Sequence, residues 1–189
     1  WERMVGLVKR ALRGTLAIAT RLTDEILSTW LCEAEAIVNS RPLTKLSDDP
    51  ADLTPLTPSH LLLMRQPVCL PAGIPSKDAY RQRWRYVQHL ASEFWRRFVR
   101  EYLPEMNRRS KWTKRVPNLK VGDLVLVMQV GLPRGLWPLA LIIEVCEGGD
   151  GAVRKARVRT RATTKLVPIV NLIPLEVNCD AESGSVGGV

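Results

Sequence analysis

Apolar residues recur every three or four positions through the first half of the chain and largely every second position near its end, and this change of period sorts the elements. Trp1, Met4, Val5, Val8, Ala11, Leu12 and Thr15 share one broad face of a helix wound over residues 1–19, with Leu7 and Leu16 at its edges. Glu2, Arg3, Lys9, Arg10 and Arg13 take the opposite, solvated face, and Glu2, Lys9 and Arg13 lie close to one line along it. A second helix is predicted from about Thr23 to Arg41. Thr23 is a plausible N-cap, Asp24 and Glu25 suit the positive first turn, and Pro42 stops the run. Its packing face is Ile26, Leu27, Trp30, Leu31, Ala34, Ile37 and Val38, which leaves Glu33 and Glu35 solvated.

Proline then breaks the periodicity over RPLTKLSDDPADLTPLTPSHLLLMRQPVCLPAGIPS (41–76). Only LTPSHLLLM predicts a short helix, with Thr57 or Ser59 near its start. The remainder reads as an ordered loop or linker, and a domain boundary falls near residue 78. The clearest helix covers residues 78–103. Trp84, Val87, Ala91, Phe94, Phe98 and Tyr102 form a narrow seam in it, and Arg81, Arg83, Arg85, Arg96, Arg97 and Arg100 stand on its flanks.

After Pro117 the pattern becomes that of strands. VGDLVLVMQ (121–129) opens on a Gly-Asp turn, LWPLALIIEV (136–145) is almost continuously apolar, GGDG (148–151) reads as a hairpin turn, VRKARVRTR (153–161) alternates, and KLVPIVNLIPLE (165–176) supplies one or two closing strands. Short strands this dense predict a small SH3-like β-barrel. The expected class is α+β, with residues 1–77 as helices plus a Pro-rich loop, 78–115 as a basic helix and linker, 116–177 as the barrel and 178–189 as a small, polar, disordered tail.

Composition narrows the picture. No apolar run approaches the roughly 20 residues of a membrane span, and hydrophobic residues at 46% are ample for packed cores. Cys32, Cys69, Cys146 and Cys179 form no CxxC pair, and His60 and His89 are isolated, so no zinc-ligand spacing exists. Reduced, mostly buried thiols are expected and suit a nuclear or cytoplasmic setting. His60 reads as structural. The first residue is Trp with a helix already under way, which reads as a cut inside a longer protein.

The net charge of +9 is unevenly distributed: residues 1–15 carry +3, 16–80 carry −3, 81–115 carry +8, 116–161 carry +3 and the rest −2. Basic charge gathered in patches implies a polyanion; the bland reading is a soluble basic domain without one. NRRSKWTKR (107–115) surrounds Trp112 with cations, and that indole either stacks on a base or an arginine, or plugs a core. In VRKARVRTR, Lys155, Arg157, Arg159 and Arg161 share one strand face, while Ala156, Val158 and Thr160 share the other with Arg154. Those cations either blunt a sheet edge or meet backbone phosphates. The candidate nucleic-acid contacts are Arg96, Arg97, Arg100, Arg108, Arg109, Lys111, Lys114, Arg115, Lys155, Arg157, Arg159 and Arg161.

WERMVGLVKRALRG, LTDEILSTWLCEAEAIVNSRPLT and LTPSHLLLMR together resemble the end of a retroelement integrase catalytic core of the BEL/Pao class. WRYVQHLASEFWRRFVREYLPEMNRRSKW, VGDLVLVMQVGLPRGLWPLALIIEV, GGDGAVRKARVRT and KLVPIVNLIPLE resemble the domain of unknown function that closes those polyproteins. The resemblance spans about residues 1–177. It implies a ribonuclease H-like core in which Glu2 is the third acid of an Asp-Asp-Glu triad, holding Mg²⁺ or Mn²⁺ in the parent. It also implies that Lys9, seven residues on, contacts DNA, with Arg13 on the same face. Asp24, Asp48, Asp49 and Asp52 all follow Glu2, so none can take the place of the two aspartates that precede it in that order. The zinc-binding module expected upstream is not in this sequence either. The chain as given is therefore expected to bind no cofactor and to lack strand-transfer and nuclease activity. Val167 stands before Pro168 where such proteins commonly have an arginine.

Two functions are weighed. The first is non-specific binding of DNA, with RNA left open, in support of integration. The second is an assembly or chromatin-docking module in which the seam of the long helix meets another integrase protomer or aromatics near Trp137 line a surface. A host gene derived from the element is a further possibility. No membrane partner is expected.

Overall fold

The structure is a computed structural model and describes residues 2–46, 52–64, 78–106, 119–129, 132–147 and 153–175. It is α+β. Helix α1 (Glu2–Leu16) and helix α2 (Asp24–Asn39) lead into a two-residue hairpin, β1 (Thr44–Lys45) with β2 (Pro55–Leu56), and then the short helix α3 (Pro58–Leu63). The long helix α4 (Asp78–Met106) precedes a five-stranded sheet: β3 (Leu124–Val127), β4 (Leu139–Glu147), β5 (Val153–Arg159), β6 (Thr164–Pro168) and β7 (Leu172–Pro174).

Local chemistry sets the helix ends. The Thr23 hydroxyl accepts from the Ile26 N–H and starts α2. Thr57, not Ser59, caps α3: its side chain accepts from the His60 N–H, and the His60 ring accepts in return from the Thr57 N–H at 3.1 Å. His60 is thus part of a cap, in keeping with a structural role. Helix α4 runs past the expected end through exposed Pro104, whose missing N–H costs it one bond near its last turn. The β1–β2 hairpin lies in the segment read as loop, since strands of two residues carry no period.

The sheet is antiparallel in the order β6-β5-β4-β3-β7. Consecutive strands β6 and β7 therefore form its two edges, and only a turn of 3₁₀-helix at Ile169–Asn171 joins them. Five flat strands would hold those edges about 19 Å apart at about 4.8 Å per spacing. Three 3₁₀ residues rise only about 6 Å. The sheet must curl strongly. Its concave side holds Val125, Ala140, Ile142, Ala156, Val158 and Leu172.

The opposite side of β3, β4 and β7 is buried too. Leu124, Leu126, Ile173 and Leu175, with Leu139 and Leu141, join one core with Leu7 and Ala11 of α1, Trp30 and Ile37 of α2, and Val87, Ala91, Phe94 and Phe98 of α4. Burial on both faces explains why LVLV and LALII read as unbroken apolar runs. The seam of α4 is consequently occupied inside the chain, not offered to a second copy. Phe94, Phe98 and Tyr102 stack in succession, with centroids 5.8 and 5.3 Å apart. Trp30 meets Phe94 edge-on at 6.5 Å. Trp137 meets Trp95 at 4.9 Å, Tyr102 at 5.7 Å and Phe98 at 6.5 Å, and its indole N–H donates to Ser40 Oγ at 3.1 Å. Trp137 is thus half-buried and packed against that core.

Glu33 is not solvated. Its side chain is 15% exposed and lies 3.5 Å from the Arg134 guanidinium, itself 9% exposed, which also bonds the Gln88 side chain. This pair ties the loop before β4 to α2 and α4.

Trp137→Ala is expected to lower unfolding free energy by about 3 kcal/mol, read from the urea midpoint, while Leu62→Ala at a 67% exposed site leaves it within about 0.5 kcal/mol. A Trp137→Ala loss below about 1 kcal/mol would mean that the indole is not a core element.

Candidate nucleic-acid interface

The candidate contacts that the structure describes lie on two surfaces, along α1 and α4 and on the outer side of β5 and its turn to β6. On the first, α1 and α4 run antiparallel. Arg3 meets Glu105 at 2.7 Å, Arg10 Nε lies 3.2 Å from Glu101, and Gly14 lies beneath Arg97. Near the end of α1 the Tyr86 hydroxyl accepts from the Thr20 and Arg21 N–H groups. The pairing has a cause. The carboxyl end of a helix is partially negative, and α4 places Glu101 and Glu105 there with no cation in its own last turn. Arg3 and Arg10 supply the missing charge. They do so from the open face on which the helical period placed them, since their side chains stay 72% and 63% exposed.

Glu2, Lys9 and Arg13 remain on the exposed line of α1. Glu2 is the first residue of the helix. Among the described residues no group of three His, Cys, Asp or Glu side chains comes together. Mg²⁺ needs several placed oxygens, and Glu2 alone does not supply them.

On α4 the exposed stripe runs through Arg85, His89, Arg96 and Arg100. Arg96 is ion-paired with Glu93 and Arg83 with Glu25. Arg97 is half-buried, and Arg100 is exposed without an ion pair among the described residues.

The second surface is the outer side of β5 and β6. Ala156 and Val158 point inward, while Lys155 and Arg157 are exposed and Arg159 is half-buried. Arg154 departs from the expected alternation. Cys146 pairs with Lys155 but Glu147 pairs with Val153, so Arg154 is the extra residue of a bulge and turns outward. A second irregularity, between Ile142 and Glu144, brings Glu144 opposite Arg157, and the two meet at 2.7 Å with both side chains 52% exposed. An exposed pair of this kind is worth under about 1 kcal/mol, so a competing anion displaces it readily. Leu166, 53% exposed, sits across from Arg157 on β6.

Arg161 lies beyond β5 in the turn to β6, which Thr160 and Thr163 close: the Thr160 N–H donates to the Thr163 carbonyl at 2.9 Å, and the Thr160 hydroxyl accepts from the Thr163 N–H at 3.1 Å. Its guanidinium acts on Asp52 at the β1–β2 turn. Bonds from the Thr54 side chain and backbone, and then the Arg161 charge, hold the Asp52 carboxyl below its ordinary value.

Of the proposed contacts, Lys9, Arg13, Arg100, Lys155 and Arg161 are exposed and make no ion pair at contact distance among the described residues, although Arg161 faces Asp52. Arg96 and Arg157 carry acid partners. Arg108, Arg109, Lys111, Lys114 and Arg115, with Trp112, lie outside the described residues, as do Cys69, Cys179, the GGDG residues and the tail. Cys32 and Cys146 are exposed, against the expectation of buried thiols, because each lies on the outward side of its element. Arg97 is among the contacts expected from the sequence, but its seat depends on which α1 residue lies opposite. A glycine inside α1 was the available signal.

Residues 82–175, from α4 to the end of the sheet, match a model described as a family of unknown function (DUF5641). No curated protein and no solved structure matches the chain. Among the described residues no helix is long and apolar enough to cross a membrane.

Because ionised Asp52 is favoured in the fold, its contribution is complete above its ordinary pKa and is lost as pH falls through the lowered one. In an NMR titration Asp52 is expected to titrate below an ordinary aspartate, and Arg161→Gln to move it up. An unmoved Asp52 in Arg161→Gln would show that the β5–β6 turn does not face it.

Proposed function

We propose that this chain is the C-terminal part of a BEL/Pao-type retrotransposon integrase and binds nucleic acid without sequence preference, mainly through backbone phosphates, in support of DNA integration. The observation that carries this reading is the outer face of β5. There Lys155 and Arg157 are exposed on one surface, with Arg159 half-buried beyond them and Glu144 paired to Arg157, while the inward face of the same strand is apolar. Repelling cations on a stable strand are best accounted for by an anionic partner, and phosphates suit guanidinium forks. The matched family is compatible with a domain of retrotransposon origin. DNA, or RNA, is the expected partner, with nuclear action in the parent.

Catalysis belongs to the parent on this reading. Glu2 would be its third metal-binding acid, with Lys9 and Arg13 lining the DNA path beside it. The assembly reading has less support, because the apolar seam on which it rested is buried within the chain.

Anisotropy titrations with a fluorescent 20-bp duplex test the proposal. Affinity is expected to fall by at least tenfold between 50 and 200 mM salt. The triple variant Lys155→Gln/Arg157→Gln/Arg159→Gln is expected to lose about tenfold or more at low salt and to reduce the salt slope by about 2–3. Salt-independent affinity, or a triple variant that binds like the parent chain, would refute the phosphate reading.

A further inference from the structure

One arginine on α4 is held differently from its neighbours. An ideal Cβ built on Gly14 would lie 2.6 Å from Arg97 Nη1 and 3.2 Å from its Cζ. The guanidinium thus occupies the space that a side chain at position 14 would fill. Gly6, the other glycine of α1, has nothing within 4 Å of such a Cβ, so the close approach is particular to position 14. Glycine inside a helix is unfavourable relative to alanine, and here it makes room for a cation.

Arg97 is also short of partners. Its Nε is buried without a hydrogen bond, and no ion pair or hydrogen bond engages its side chain among the described residues. Arg83 and Arg96 on the same helix have Glu25 and Glu93. The acid one turn along from Arg97, Glu101, lies within ion-pair distance of Arg10 on α1, and its buried Oε2 accepts no hydrogen bond among the described residues. A guanidinium carries five N–H donors in a rigid fork and is always charged. One that is half-buried and makes no ion pair among the described residues is placed to receive an anion. Arg13, next to Gly14 on α1, and Arg100, on the exposed stripe of α4, add positive charge around it.

We infer that Arg97, seated on Gly14 between α1 and α4, is a fixed contact for one backbone phosphate of the bound nucleic acid. This rests on the nucleic-acid reading above. It extends that surface from the sheet to the helical groove and makes Gly14 a positioning residue for the contact.

The experiment compares Gly14→Ala, Arg97→Gln and the double variant in the full 189-residue chain, using the 20-bp duplex as probe with thermal unfolding run alongside. Gly14→Ala is expected to keep or raise the melting temperature, since alanine favours the helix and the flexible end of Arg97 can swing away. Its duplex affinity is nevertheless expected to fall by about threefold to tenfold, with a salt slope smaller by about 0.9. Arg97→Gln should lose the same amount, and the double variant no more than Arg97→Gln alone, because both changes remove one contact.

If Arg97→Gln binds like the parent chain while the β5 triple variant does not, the Arg97 contact is wrong and the nucleic-acid reading stands. Additive losses in the double variant would also overturn the contact, by showing that Gly14 acts through something else. If Gly14→Ala fails to fold, Arg97→Gln decides the matter alone. No binding of the duplex by the parent chain overturns both ideas.

Discussion

The rest of the structure depends on the packing of the Trp137 indole against the aromatic ladder of α4. Trp137 touches Trp95, Phe98 and Tyr102 on one helix and hydrogen-bonds Ser40 at the end of another. Edge-on aromatic contacts add about 0.5–1.5 kcal/mol each beyond their buried area. Their position matters as much as their sum, because they join the sheet to the helices. With the ladder turned toward α1, α2 and the sheet, α4 has one narrow stripe left for water, and its outward cations lie there.

Charge follows the same constraint. Arg3 and Arg10 meet the acids at the carboxyl end of α4 from an exposed face, while Arg134 is used in folding, buried against Glu33. A buried pair of that kind adds little net stability but is costly to break from one side, so it fixes how the loop before β4 sits on α2 and α4. Lys155, Arg100 and Arg97 have no such engagement. They remain available to an external anion at two places on one packed body.

Periodicity made much of the fold legible. The apolar spacing of α1, α2 and α4 and the Thr23 cap all appear in the sequence, as do β3, β4 and β5 and the one or two closing strands that become β6 and β7. The continuous runs of β3 and β4 read correctly as strands because both faces of the sheet are covered. What stayed hidden depends on partners distant in sequence. The outward turn of Arg154 follows from a bulge set by β4, which no alternation within β5 reveals. Glu33 sits beside the packing face of α2, and only the arrival of Arg134 from 101 positions away buries it. The seat of Arg97 needs the register of α1 against α4. The sequence could mark candidate cations, but only the packing distinguishes an arginine that closes a helix end from one that faces outward.

The central claim is that helices and sheet form one cooperative body through α4 and Trp137. The direct measurement is urea unfolding of the intact chain, followed by far-UV circular dichroism at 222 nm for the helices and by near-UV signal from the packed tryptophans for the junction. A single transition with the same midpoint and slope by both probes is the expected result. A near-UV signal lost at clearly lower urea than the helical signal would show that the junction opens first and would contradict the account.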